Sequence, residues 1–371
     1  MKTKINIPWA QPCFWGDEQR FVTDALRSSW ISGGPFVQRF EKELAKHHGV
    51  PFCITTSNGT TALQLALMAA GVGPGDEVIV PGFSFLAPAN MVLGIGAKPV
   101  YADIDPATWC MDPACVKAKI SRKTKAIVAV HNYGNVCDMN ALRGLAKRRG
   151  LFLIEDVAEA LFSKYNGQLA GTFGDIGCFS FQATKTITMG EGGCVLTSNK
   201  KLHRLMRLIR DHGMPQRGRY WHEVLGYNFR LTNLQAALGC AQFKYRLRII
   251  AAKRKVYSLY RKYLKGQKGI RFQLVRREVR PVIWTVAVEI DPSVFNMKRD
   301  EAIRCLAAAG IETRPGFIPA SLMPLYHAPS LPTAERISAR VLCLPSFPGL
   351  KESEIKRICG QLKKLSRKTH G

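Results

Sequence analysis

An α/β fold built round a largely parallel sheet is the architecture this 371-residue sequence predicts. From about residue 52 to 198, short β-branched runs alternate with helical stretches, the pattern of βαβ units. Several of the runs lack the polar alternation of a half-exposed strand, as expected where helices cover both faces of a sheet. The composition, 46% hydrophobic and 22% charged, is that of a globular protein with a large core and excludes disorder, collagen and coiled coil.

Taken in order, the elements are as follows. A short apolar run precedes Ser57, and SNGTTA (57–62) opens a nearly all-apolar helix. Strands are expected at EVIVP (77–81), PVYADI (99–104), AIVAVH (126–131), LFLIED (151–156), GCFSF (177–181) and GCVLTS (193–198). The helix expected at 139–149 carries Leu142, Leu145 and Ala146 on one stripe and Arg143, Lys147 and Arg148 on the other. After Leu234 a long, basic helix is expected to lead from the α/β core into a smaller α+β unit. That unit contains a strand-like run (280–290), a helix (298–309) ended by Gly310, and a final helix (352–364). The expected division is a large domain with the N-terminal segment, 1–245, and a small C-terminal domain, 246–371.

Charge is the abnormal quantity: 54 Lys and Arg against 27 Asp and Glu leave a net +27. Such an excess points to an acidic partner: nucleic acid, an anionic membrane or a phosphorylated ligand. The eleven cysteines stand singly, with no CxxC pair, which fits thiols in a reducing compartment. The opening residues lack the apolar stretch of a secretory signal, and the longest apolar run, 62–72, falls far short of the roughly 20 residues of a membrane span. A cytoplasmic protein with no membrane partner is expected.

Three segments carry chemistry. Small and hydroxyl residues at Ser57, Gly59 and Thr60 open a helix, where free N–H groups and the positive dipole end suit a phosphate; an ordinary N-cap is the commoner use of such a sequence. Asp156 ends a buried strand, where open α/β sheets bind ligands, and there it serves as catalytic partner, metal ligand or helix cap. Lys185 lies between a strand and the Gly-rich turn 190–193, flanked by small and hydroxyl residues, a setting that suits a nucleophilic lysine better than a solvated charge. Phosphate cradle, strand-end carboxylate and loop lysine, in that order, are the constellation of a pyridoxal phosphate enzyme.

On these residues, and on WISGGPFVQRFEKELAKHHGV, SNGTTALQLAL, GPGDEVIVP, IEDVAEA, GDIGCFSFQATKTITMGEGG, GYNFRLTNLQAALG and IETRP, the chain resembles the DegT/StrS-type sugar aminotransferases nearly end to end. These are fold-type I pyridoxal phosphate transferases, and the wording around Trp221-His222 is most similar to that of the perosamine synthases. The resemblance implies that Lys185 forms the internal aldimine and Asp156 pairs with the protonated pyridine nitrogen. It assigns the phosphate to Ser57, Gly59, Thr60 and Ser180, a ring face to Phe85, and the neighbourhood of the ring hydroxyl to Glu159. Read alone, Phe85 is a core aromatic and Glu159 a dipole-compensating residue early in a helix. Asn228 matches the residue the family contributes from the neighbouring subunit, which implies a homodimer with shared active sites. The implied reaction moves an amino group from glutamate to a nucleotide-linked keto-sugar, with no nucleic acid partner.

Arg314 begins a segment, 314–321, whose smaller side chains depart from the commoner family pattern near the substrate. Arg314, Trp221 and His222 are therefore candidate substrate residues, and Arg314 equally suits a surface role. The histidines show no metal-ligand spacing, so no metal is expected. The basic runs 143–149 and 245–268 read as solvated helix faces. The competing reading from another class is a protein of this fold recruited to bind nucleic acid through its basic surface. Among enzymes, the alternative is amination of a different keto-sugar or a cyclitol.

Overall fold

The computed structural model describes residues 5–215 and 220–366. Seven strands form the main sheet in the order Phe52–Thr56, Gly193–Thr197, Ile176–Ser180, Phe152–Asp156, Thr124–Val130, Glu77–Pro81, Lys98–Ala102. Gly193–Thr197 runs antiparallel to both its neighbours, while the other pairings are parallel. The apolar runs are explained by burial on both faces. Val78, Val80, Ala126, Val128 and Ile154 face one cluster, and Ile79, Ile127, Ala129 and Leu153 the other. Successive strand residues thus point into different helix layers, and neither face has room for polar alternation.

Helix ends follow local chemistry. Met139–Arg149 starts where the Asp138 carboxylate accepts the Ala141 N–H (3.1 Å) and stops at Gly150, whose φ of +64° is the left-handed conformation a helix stop favours. The long helix expected after Leu234 is instead two, Asn233–Lys244 and Arg246–Tyr263. Tyr245 breaks it: its N–H bonds back three residues to Gln242 and its hydroxyl donates to Asp17 (2.8 Å). Apolar and basic periodicity runs through the break, so the pattern carries no sign of it.

A second, antiparallel sheet has the order Ile270–Phe272, Val286–Ile290, Val341–Leu344, Arg314–Pro315. It packs into a third cluster with Arg246–Tyr263, Arg299–Ala308 and Glu352–Leu365. The run expected as one strand over 280–290 divides. Val279–Arg280 pairs with Lys164–Tyr165, Val286–Ile290 joins the second sheet, and the residues between turn inward with Trp284 among them. Residues at the chain's start also meet this region: the Asn6 and Ile7 N–H groups donate to Gly310 C=O, and Glu312 N–H to Ile7 C=O. Among the described residues no helix is long and apolar enough to cross a membrane.

Candidate active site

Asp156, Ser180 and the loop carrying Lys185 gather at the C-terminal edge of the central strands, because Phe152–Asp156 and Ile176–Ser180 are adjacent and parallel. Asp156 is buried, and its Oδ1 accepts the Ala158 N–H (3.0 Å), the local bond of a cap. Burial raises its pKa, opposed by that N–H and by the charges of Lys185 and His131.

Glu159 does not start a helix. Residues 158–162 form a turn in which Phe162 takes φ +72°. The turn aims the Glu159 carboxylate inward, where one oxygen accepts the Tyr133 N–H (2.7 Å) and the other lies 3.6 Å from Lys185 Nζ. Tyr133 itself holds φ +61° in full burial, a strained conformation for a non-glycine residue that directs its N–H at Glu159. Burial pushes the Glu159 carboxyl up to about 6 against the pull of the Lys185 charge and the Tyr133 N–H.

The loop bearing Lys185 is closed on itself by Phe181 N–H to Gly192 C=O, Met189 N–H to Phe181 C=O and Ala183 N–H to Gly190 C=O, each 2.8 Å. The Lys185 side chain is 14% exposed, and Nζ stands 3.8 Å from the centroid of the Trp284 ring, a cation–π contact. Trp284 is tied to the same loop by its indole N–H, which donates to Thr184 C=O (2.8 Å). Sequence reasoning missed Trp284, since a tryptophan in a strand-like run carries no mark separating it from core.

Opposite lies the opening of helix Gly59–Ala69. Its cap is Asn58, which accepts the Thr61 N–H (2.9 Å) while the Thr61 hydroxyl accepts the Asn58 N–H (3.2 Å). The Gly59 and Thr60 N–H groups have no protein acceptor among the described residues. A Cβ on Gly59 would come 2.7 Å from Ser180 Cβ, and one on Gly193 would collide with the Asn58 carbonyl. Two glycines thus let the strand-end hydroxyl and the helix N-terminus close on one spot. Free N–H groups and a hydroxyl suit a phosphate there, so these residues fit the cofactor the sequence implies. Ser57 lies beside it, its N–H donating to Phe229 C=O (2.8 Å) and its hydroxyl 3.1 Å from that of Thr61.

Among the described residues none of the remaining candidates bonds Lys185. Phe85 is 66% exposed, which removes its reading as a core residue. Asn228 accepts from Arg230 Nε (3.0 Å) and its backbone pairs with Asp211; it bonds none of Lys185, Asp156 or Ser180 within one chain. Trp221 is exposed, and His222 Nδ1 lies 2.7 Å from the His212 carbonyl oxygen, both next to the undescribed 216–219. Arg314 pairs with Glu312 (2.6 Å) and lies over Trp9, whose ring packs edge-on against Trp284 (5.6 Å). Among the described residues no group of His, Cys, Asp and Glu is arranged to hold a metal. One residue of the basic run 245–268 departs from its solvated reading: Lys253 is 4% exposed and faces inward.

Residues 12–363 match the DegT/DnrJ/EryC1/StrS aminotransferase family. The chain is 42% identical to the GDP-perosamine synthase of Escherichia coli O157:H7 over 356 residues, covering 95% of this chain and 96% of that one. It is 40% identical to the GDP-perosamine synthase of Vibrio cholerae, covering 96% and 98%. Its fold superposes on the aminotransferase TlmJ from Streptoalloteichus hindustanus with a TM-score of 0.92 at 31% identity, covering 97% and 98%.

Proposed function

The chain belongs to the DegT/DnrJ/EryC1/StrS aminotransferase family, and on that premise we propose that it transfers an amino group from glutamate to a nucleotide-linked keto-deoxysugar such as GDP-4-keto-6-deoxymannose. The observation that carries the reading is the juxtaposition of the Lys185 amine, 3.6 Å from Glu159 and in electrostatic reach of buried Asp156, with the free helix N-terminus. The cofactor is pyridoxal phosphate. Gly59 and Thr60 N–H groups and the Ser180 hydroxyl, with Ser57 beside them, would hold its phosphate, and Asp156 and Phe85 would hold its ring.

When bound, pyridoxal phosphate supplies an electron sink for the charge left at the donor Cα. The protein's part is proton management. Asp156, buried and with its pKa raised by that burial, would supply the counter-charge for a cationic group bound beside it. Lys185 would be the group that takes the proton from the donor Cα and later returns it, acting as base and then acid. Glu159 keeps the lysine's ammonium form paired, and its bond to the rigid Tyr133 backbone fixes where that pair stands. The same groups run the second half-reaction in reverse on the keto-sugar.

The substrate assignment is supported by the two perosamine-synthase relatives, and it gives Arg314, Trp221 and His222 roles in holding sugar and nucleotide. A homodimer with shared sites is supported by the exposure of Phe14, Trp30, Phe85, Trp221 and Leu225 and by Asn228 bonding Arg230 and none of Lys185, Asp156 or Ser180 within one chain. The reading places the enzyme in the cytoplasm, making amino-sugar precursors for surface polysaccharide such as O-antigen. Lys185→Ala is expected to abolish turnover and the visible absorption band of the cofactor-loaded protein; a variant keeping both overturns the assignment. Loading the enzyme with the aminated cofactor and adding candidate GDP-, UDP- and dTDP-linked keto-sugars identifies the acceptor by return of that band.

A further inference from the structure

Behind the Lys185 loop lies a second lysine that the proposed chemistry does not use. Lys253 sits on helix Arg246–Tyr263, 4% exposed, and its Nζ donates to the carbonyl oxygens of Trp284 and Ser346, both at 2.6 Å. No carboxylate pairs with it among the described residues. Trp284 is the piece both lysines touch: its carbonyl accepts from Lys253, its ring carries Lys185, and its indole N–H is bonded to the Lys185 loop. Both lysines also line one small cavity, closed by Trp9, Cys13 and Ser346.

We propose that Lys253 is a positioning residue for the Lys185 amine, clamping Trp284 beneath it. The inference rests on Lys185 being the reactive lysine. The clamp holds the ring on which the Lys185 amine rests, and the same ring is bonded to the Lys185 loop, so it fixes where that amine stands. The groups facing Lys185 are Glu159, Asp156 and the Trp284 ring. Those facing Lys253 are Lys185 and, from the N-terminal segment, the Cys13 thiol. Burial pulls Lys253 down to about 7, so its charge changes near neutral pH.

The test reads kcat and the glutamate KM of the loaded enzyme. Lys253→Met is expected to lower kcat roughly tenfold with KM unchanged, and Lys253→Arg, which keeps a cationic donor, to recover most of it. A second measurement stands even where Lys253→Met fails to fold: in a pH series of amine-selective labelling of the cofactor-free full chain, read by peptide mass spectrometry, Lys185→Ala is expected to raise the Lys253 midpoint, because the charge facing it is gone. A folded Lys253→Met with wild-type kcat, or an unmoved Lys253 midpoint in Lys185→Ala, overturns the proposal. Failure of the underlying reading looks different: pyridoxal phosphate then binds without protecting Lys185 from the label.

Discussion

At Glu159 the cost of burial exceeds what its partners return. Lys185 and the Tyr133 N–H both favour the carboxylate, yet burial holds its pKa at about 6, above the ordinary 4.5. The folded state thus binds a proton more tightly than the unfolded one. The stability this group contributes is fully present below pH 4.5 and is lost as pH rises through 6. At about 1.4 kcal/mol per pH unit, the ionised side chain costs about 2 kcal/mol at neutral pH. Glu159→Gln keeps an acceptor for the Tyr133 N–H and removes the charge. It is expected to raise the melting temperature of the cofactor-free protein at pH 7.5 while matching wild type near pH 4.5. Calorimetry at the two pH values checks this, and a variant less stable at pH 7.5 contradicts it. The residue was legible as a candidate from its place after Asp156, but its setting was not. A helix start would have pointed it at solvent, whereas the turn and the strained Tyr133 point it at Lys185.

At the scale of elements, the strands were readable because burial on both faces leaves β-branched runs without polar alternation. The phosphate cradle was half readable. Hydroxyl and small residues marked a helix start, and the side chain that caps it is Asn58, leaving the Gly59 and Thr60 N–H groups free. Asn58→Ala is expected to cost about 1 kcal/mol of stability in a denaturant titration. Gly59→Ala acts on the site instead, since its methyl would press on Ser180 Cβ from 2.7 Å. Its affinity for pyridoxal phosphate, measured by equilibrium titration, is expected to fall roughly tenfold, from an overpacking strain of the usual 1–3 kcal/mol. A Gly59→Ala protein binding as tightly as wild type would show that the cradle lies elsewhere. The helix break at Tyr245 was not readable, because it depends on Asp17, a residue far away in the chain.

For the whole molecule, shared active sites predict complementation. Lys185→Ala and Asn228→Ala, each inactive alone, are expected on unfolding and co-refolding to recover up to about a quarter of wild-type activity. Half the dimers are then mixed, and each mixed dimer holds one site with both native residues. No recovery, with mixed dimers verified by mass, counts against shared sites. The net charge of +27 is only partly explained by a phosphorylated cofactor and a diphosphate-linked sugar. Much of the excess lies on 143–149, on 245–268 and on 363–368, the last reaching past the described residues. By itself the sequence determined the α/β class, the buried strands and the order of cradle, carboxylate and lysine, because each is written in local periodicity or adjacent residue types. The tertiary structure alone decided that Trp284, a hundred residues along the chain, lies under Lys185, and that Lys253 leaves a basic helix face to grip it from behind. Those contacts depend on how the second sheet and its helix dock against the first, and docking leaves no periodic trace in the residues it brings together.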